Sequence, residues 1–419
     1  MKSQYILMEK EQENFTSWDF KEADTKEFTH NIHTYPAMMI PQIARRLIYL
    51  YGKDAKTILD PFMGSGTSLV ESTLVPNIKE SYGFDLNPLA VLISKVKITP
   101  INPEILRKEL NRIVNPQNPF FVREPKIPIF KNIDFWFKDK VAEKLAMLKS
   151  LIQQIKNEDV KDFFLVVFSE TVRRVSNTRN SEFKLYRMDK EKMENYNPDV
   201  FGEFEKIANN SIKGMNEYLK VKTDLKPKIK LFSSMNELPI KENSIDLIVT
   251  SPPYGDSKTT VAYGQFSRLA LEWLDYQDVA SLDNKLLGGK ASKELEVKID
   301  SSALKEIIKR IAAKDEKRAR EILSFYEDFD KVVIQLNRVM AKEGHVCFVV
   351  GNRTVKGINI PTDKIMSEMF MAHGNYKQVA LHQRAIPNKR MPKVNSPTNV
   401  KGEKSTTMCN EFIFVLQKI

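Results

Sequence analysis

The residues Ser251-Pro252-Pro253-Tyr254 follow the apolar run IDLIV at 245–249, with Thr250 between them. Prolines remove backbone donors and hold the chain extended, so carbonyl oxygens at Ser251 and Pro252 can face a substrate instead of a neighbouring strand. Tyr254 adds an aromatic face. Two acceptors, the Ser251 hydroxyl and the Pro252 carbonyl, beside a flat ring are suited to gripping a planar base that carries an exocyclic NH₂. Such an amine is a poor nucleophile because its lone pair is delocalised into the ring. Holding both N–H bonds favours a more pyramidal nitrogen and aims the lone pair at an electrophile.

A second cluster lies far upstream. In ILDPFMGSGTSLVES, a strand carrying Asp60 and Phe62 runs into Gly64-Ser65-Gly66 and then a helix start that Thr67 or Ser68 can cap. Glycines at such a turn let the backbone approach a ligand closely. The turn lacks the G-K-[ST] of a nucleoside triphosphate loop. Asp85 closes the next strand about 20 residues on, where a carboxylate can accept hydrogen bonds from a ribose diol. A ligand with a ribose but no pyrophosphate fits this pair.

These residues need a sheet behind them. The apolar runs TILDPF (57–62), YGFDL (82–86), KIKLFSS (228–234), IDLIVTS (245–251), GHVCFVVGN (344–352), YKQVALHQ (376–383) and EFIFVLQ (411–417) read as seven short strands. Several are apolar throughout and helical patterns lie between them, which predicts an α/β fold with a doubly wound, mostly parallel sheet. The last two strands, joined by a long segment with no helical period, are expected to be an antiparallel pair. Residues 101–228 interrupt the rhythm and read as a large inserted, helix-rich subdomain between core segments 1–100 and 229–419. A second interruption at 277–320, charge-dense and rich in Lys, Glu and Ala, reads as one or two solvated helices.

Composition narrows the class. At 419 residues the chain suits two domains, or one with large insertions. No stretch is apolar enough for a membrane span and the start carries no signal peptide, so a cytoplasmic protein is expected. Cys347 and Cys409 sit in or beside apolar runs and the five histidines are scattered, so neither a disulfide framework nor a metal site is expected. The net charge of +11 is uneven, with 26 basic against 19 acidic residues over 101–230 and 12 against 5 over 341–419. A localised basic excess fits contact with a polyanion.

Taken together, DPFMGSGT, FDLNP and SPPY resemble the motifs of S-adenosylmethionine-dependent amino-methyltransferases acting on DNA, over roughly 30–100 and 229–419. The resemblance implies the class I methyltransferase fold and S-adenosylmethionine as cofactor. It places Phe62, Gly64, Gly66 and Asp85, with Asp60 and Thr67 beside them, at the cofactor. The upstream HNIHTYPAMM (30–39) looks like a further pocket element, which adds His33, Tyr35 and Pro36. Ser234, ending the third strand where an acid often stands in the family, is the candidate for the adenine amine.

Ser251, Pro252, Pro253 and Tyr254 become the catalytic set. An S-P-P-Y motif in this family implies the N4 amine of cytosine, with N6 of adenine the nearest alternative; an RNA base methyltransferase and a non-catalytic DNA-binding subunit of the same fold are further ones. Methylation at cytosine C5 is excluded because it needs a cysteine thiolate after a proline, and neither cysteine is near SPPY. A base inside a duplex cannot reach such a pocket, so the target is expected to be flipped out. The implied partners are double-stranded DNA and a cognate restriction endonuclease or defence-system subunit.

Two basic segments are candidates for gripping DNA. One is FSETVRRVSNTRNSEFKLYR (168–187), with Arg173, Arg174, Arg179, Lys184 and Arg187; the other runs from Arg384 through Lys389, Arg390 and Lys393 to Lys404. Arginine forks suit guanine edges and phosphates.

Overall fold

The computed structural model describes residues 17–115, 117–118, 124–179, 183–256, 260–386, 394–395, 405–406 and 410–419. Seven strands form the main sheet: β1 (Thr57–Asp60), β2 (Glu80–Asp85), β3 (Lys228–Leu231), β4 (Ile245–Thr250), β5 (Met340–Gly351), β6 (Tyr376–Ala385) and β7 (Asn410–Lys418). Their spatial order is β3-β2-β1-β4-β5-β7-β6. β1 to β5 pair in parallel, while β7 runs antiparallel to both β5 and β6. This is the class I methyltransferase arrangement, and the expected antiparallel final pair is present.

The order reverses between β1 and β4, so a crevice opens beyond their carboxyl ends. Those ends are Asp60 and Thr250, the residues that lead into the glycine turn and into SPPY. The central strands are buried on both faces, as their unbroken apolar runs require. β3 is shorter than the apolar pattern suggested: it stops at Leu231 on the exposed sheet edge, the Phe232 N–H makes the last bond to the Asp85 carbonyl at 2.9 Å, and Ser233 and Ser234 leave the ladder.

Between β2 and β3 the helix Glu158–Val175 packs on the sheet-covering helix Pro88–Ile98, Asp139–Gln153 and Val200–Val221 pack on Glu158–Val175, and Pro103–Val114 packs on those two. Leu89, Ile93 and Val96 of that helix share one apolar core with Leu106, Leu145, Phe163, Val167 and Phe204. The opposite layer holds the helices Ser302–Ala312, Glu316–Val339 and Thr362–His373. Here the expectation of solvated helices over 277–320 is corrected. Ala303, Leu304, Ile307, Ile308 and Ile311 form an i, i+3/i+4 stripe that is buried in the second core, hidden in the sequence by the lysines and glutamates between them. No helix among the described residues is long and apolar enough to cross a membrane.

Candidate active site

The bend after β1 is built around two glycines with positive φ, Gly64 at 48° and Gly66 at 80°. At Gly66 a Cβ would lie 2.8 Å from Ser94 Oγ and 3.2 Å from its Cα, so the turn seats directly on the helix Pro88–Ile98. Ser94 donates to the Gly64 carbonyl at 2.8 Å, and the Gly66 N–H donates to the Met63 carbonyl at 2.7 Å. Strain and close approach therefore both demand glycine there.

Two buried acids brace the bend. Asp60 accepts from the Phe62 N–H at 3.0 Å, from the Thr250 hydroxyl at 2.6 Å and from the Ser68 hydroxyl. It thereby ties the end of β1 to the residue before Ser251. Burial pushes its carboxyl up to about 6 despite these bonds. Asp85 accepts from the Gly64 N–H at 3.0 Å and the Asn87 N–H at 2.8 Å, and burial again pushes it up to about 6.

Asn87, within the FDLNP motif, has three partners. Its side-chain oxygen caps the helix Pro88–Ile98 at the Leu89 N–H, and its amide donates to Tyr35 Oη at 2.9 Å and Ser267 Oγ at 2.7 Å. Tyr35 stacks on Tyr263, ring centroids 5.9 Å apart.

These segments enclose a cavity of about 890 Å³, open mouth included. Tyr35 and Pro36, Asp60, Phe62, Gly64 and Thr67, Asp85, Ser234, and finally Ser251 and Pro253 of SPPY all line it. The glycine turn and SPPY thus share one chamber. Tyr263, Leu286 and Leu287 also line it, and nothing in their local sequence marks them. Pro252 is buried and is not among the lining residues. Tyr254 does not line the chamber; its hydroxyl reaches Glu411 on β7 instead, at 2.9 Å. Ser234 donates its hydroxyl to the Pro61 carbonyl at 2.7 Å, which leaves only its oxygen lone pairs for a ligand.

His33 is a correction. It does not line the chamber: Nδ1 lies 2.5 Å from the Thr34 carbonyl and 3.6 Å from Glu170 of the helix Glu158–Val175, and burial lowers its pKa. It is a buried joint between the N-terminal segment and the helical insertion.

The basic residues divide. Arg173 is buried with its guanidinium 4.0 Å from the Phe266 ring centre, and burial lowers its pKa to about 10. Arg174 pairs with Glu170 at 2.9 Å and Arg179 with Asp189 at 2.8 Å. Lys184 is half-buried, and the half-buried Arg187 stacks 4.0 Å over Phe135. This loop adjoins the chamber, because Phe183 contacts Phe266, which contacts Tyr35, with centroid separations of 6.3 and 5.9 Å.

Arg384 is a second correction: it is buried, ion-paired with Glu411, and donates to the Trp18 carbonyl at 2.9 Å. A guanidinium so enclosed holds protein, not a phosphate. Lys389, Arg390, Lys393 and Cys409 lie outside the described residues.

The chamber fits S-adenosylmethionine. Asp85 offers a carboxylate for ribose hydroxyls, and Met63, Phe232, Met235, Leu287 and Val332 supply apolar walls for a purine. Among the described residues no lysine or arginine lines it, as suits a cofactor without phosphates.

Comparison with known proteins agrees with this geometry. A family model described as DNA methylase, of the N6/N4 type, matches residues 2–95. The chain is 44% identical to the type II methyltransferase M.MvaI of Kocuria varians over 442 aligned residues, covering 98% of this chain and 96% of that one. It is 22% identical to the type II methyltransferase M.MjaII of Methanocaldococcus jannaschii, over 57% of this chain and 62% of that one. A solved rRNA methyltransferase, aviRa of Streptomyces viridochromogenes, overlays with 8% identity, 92% and 89% coverage and a TM-score of 0.33. The methyl donor of this family is S-adenosylmethionine. With nearly the full length of M.MvaI aligned at that identity, the chain belongs to the type II DNA methyltransferases of the N6/N4 amino-methylating family.

Proposed function

We propose that this enzyme methylates the exocyclic N4 amine of a cytosine flipped out of duplex DNA at a short site, as the modification partner of a cognate restriction endonuclease. The observation that carries the reading is that Ser251 lines the same chamber as Gly64 and Asp85, with Asp60 bonding both Phe62 and Thr250.

When bound, the cofactor supplies an electrophilic methyl carbon on a sulfonium. Asp85, Tyr35, Gly64 and the apolar wall of Met63, Phe232 and Val332 would hold it. Ser251 Oγ accepts one N–H of the target amine, and the Pro252 carbonyl is assigned the other. Both hydrogens held, the nitrogen lone pair is released from the ring and oriented. The Tyr254 ring gives the extruded base a face to stack on, returning about 1–3 kcal/mol of the unstacking cost. Replacing the hydroxyl of Ser251 by a hydrogen, as in Ser251→Ala, therefore removes an acceptor while leaving Asp85, Gly64 and the apolar wall in place.

Sequence reading is assigned to the helical insertion 101–228, through the loop around Lys184 and Arg187 that adjoins the chamber. The segment carrying Lys389, Arg390 and Lys393 is assigned to backbone contacts.

The test is to treat unmethylated DNA with enzyme and labelled cofactor, digest to nucleosides and identify the product by mass spectrometry. N4-methylcytosine is expected. N6-methyladenine would overturn the base assignment, and tight DNA binding with no transfer would overturn catalysis itself.

A further inference from the structure

The catalytic serine poses a chemical problem. A hydroxyl can donate as well as accept, so nothing intrinsic to Ser251 makes it present lone pairs, rather than its proton, to an incoming N–H. Ser251 Oγ lies 3.2 Å from Tyr254 Oη, a contact in which either atom is a possible donor. Tyr254 Oη lies 2.9 Å from one carboxylate oxygen of Glu411, and the other oxygen is held by the guanidinium of Arg384. Arg384 and Glu411 are cross-strand partners at the paired ends of β6 and β7, and Arg384 is fixed in turn by the Trp18 and Asp19 carbonyls.

An ionised carboxylate only accepts, and a guanidinium only donates. Glu411, ion-paired with Arg384, therefore accepts the single hydrogen bond that Tyr254 can donate. The Tyr254 oxygen is left only lone pairs on the side facing Ser251, so it takes the proton of Ser251. Once that proton is committed, Ser251 Oγ has nothing but lone pairs to offer the chamber.

From this chain the geometry points to Glu411 as a positioning residue that sets the direction of the Glu411–Tyr254–Ser251 hydrogen bonds and so makes Ser251 an obligate acceptor for the target amine. The inference rests on the reading of Ser251 as the group that holds that amine. It also gives Tyr254 a role beyond its ring: the hydroxyl transmits polarity. Glu411 has no signal of its own in the sequence, where it merely opens the apolar run EFIFVLQ.

Glu411→Gln separates this from a structural role, because it keeps shape and changes direction. Arg384 requires an acceptor, so the glutamine turns its oxygen there and its NH₂ toward Tyr254. Tyr254 then donates to Ser251, and the Ser251 proton faces the substrate N–H. Single-turnover methyl transfer at saturating DNA and cofactor should fall by about tenfold or more, the effect of one misdirected hydrogen bond. Cofactor Kd and DNA KM should stay within about twofold of wild type, while the melting temperature falls because the enclosed Arg384 loses its counter-charge. Tyr254→Phe, which leaves the Arg384–Glu411 pair intact and folds independently of that change, should show the same fall in kcat. Combining the two should cost no more than Tyr254→Phe alone.

Wild-type kcat in Glu411→Gln or in Tyr254→Phe, or losses that multiply in the double variant, would overturn the relay. Ser251→Ala serves as the control on the underlying reading. If it retains transfer, the acceptor assignment fails; if it is inactive while Glu411→Gln is fully active, the relay alone fails.

Discussion

Lys97 makes the sharpest energetic prediction. It lies near the end of the helix Pro88–Ile98, fully buried, and its ammonium finds no hydrogen-bond partner among the described residues. Burial alone lowers its pKa from 10.5 to about 7. Its neighbours are His30 and His33, whose pKa values it helps to lower, beside the Glu71 carboxylate that is already held by His30 and Arg45. At about 1.36 kcal/mol per pH unit, a fall from 10.5 to about 7 corresponds to a destabilisation of about 5 kcal/mol, an upper figure that relaxation reduces.

The sign follows from proton counting. Between pH 7 and 10.5 the unfolded chain binds a proton at Lys97 that the folded chain does not, so stability rises with pH across that window. The penalty is complete below pH 7 and gone above 10.5. Lys97→Met keeps an unbranched side chain, one atom shorter, and removes the charge. It should stabilise the protein by about 2 kcal/mol or more at pH 7, in the range seen when buried charges are replaced by apolar groups. Urea unfolding at pH 7 and at pH 9.5 should show that gain shrinking at the higher pH. Methyl transfer should continue, since Lys97 does not line the chamber. A variant no more stable than wild type at pH 7, or a difference independent of pH, would refute the assignment of an unpartnered ammonium.

The site gives further expectations. Asp85 titrates near 6 in the free protein and must be ionised to accept ribose hydroxyls, so cofactor affinity by calorimetry should drop about tenfold from pH 7.5 to pH 5. Asp85→Asn should weaken binding at pH 7.5 and flatten that dependence. Gly66→Ala places a Cβ against Ser94 at a φ of 80°, strain of about 1–2 kcal/mol before any clash, and should lower both the melting temperature and cofactor affinity. Neutralising Lys184 and Arg187 together should reduce the slope of log DNA affinity against log salt by about 1 to 2. Arg384→Gln should leave that slope unchanged while lowering kcat, because its charge faces Glu411.

What the sequence reveals about this enzyme separates by the range of the interaction involved. The glycine turn, Asp85 and SPPY were legible because each depends on a strand ending at one place, and the backbone alone puts them at the carboxyl ends of the adjacent strands β1, β2 and β4. Side-chain roles that depend on a distant partner were not. His33 has the look of a pocket residue until Glu170, over 130 positions away, is seen to face it. Arg384 has the look of a phosphate contact because its charge is visible and its enclosure by Glu411 and the Trp18 carbonyl is not.

Asp60 shows the same limit from the other direction. The acid in DPFMG reads as a ligand, yet its oxygens are committed to Phe62, Ser68 and Thr250, so its contribution is to lock β1 to β4. That lock determines how far Ser251 stands from the glycine turn. On the proposed reading, the distance over which the methyl group passes depends on this lock, which Asp60 makes while also lining the chamber. Asp60→Asn, which trades one acceptor oxygen for a donor that neither hydroxyl's present proton placement can meet, should for this reason lower kcat with a smaller change in cofactor affinity. Equal losses in both would show that Asp60 binds the cofactor directly.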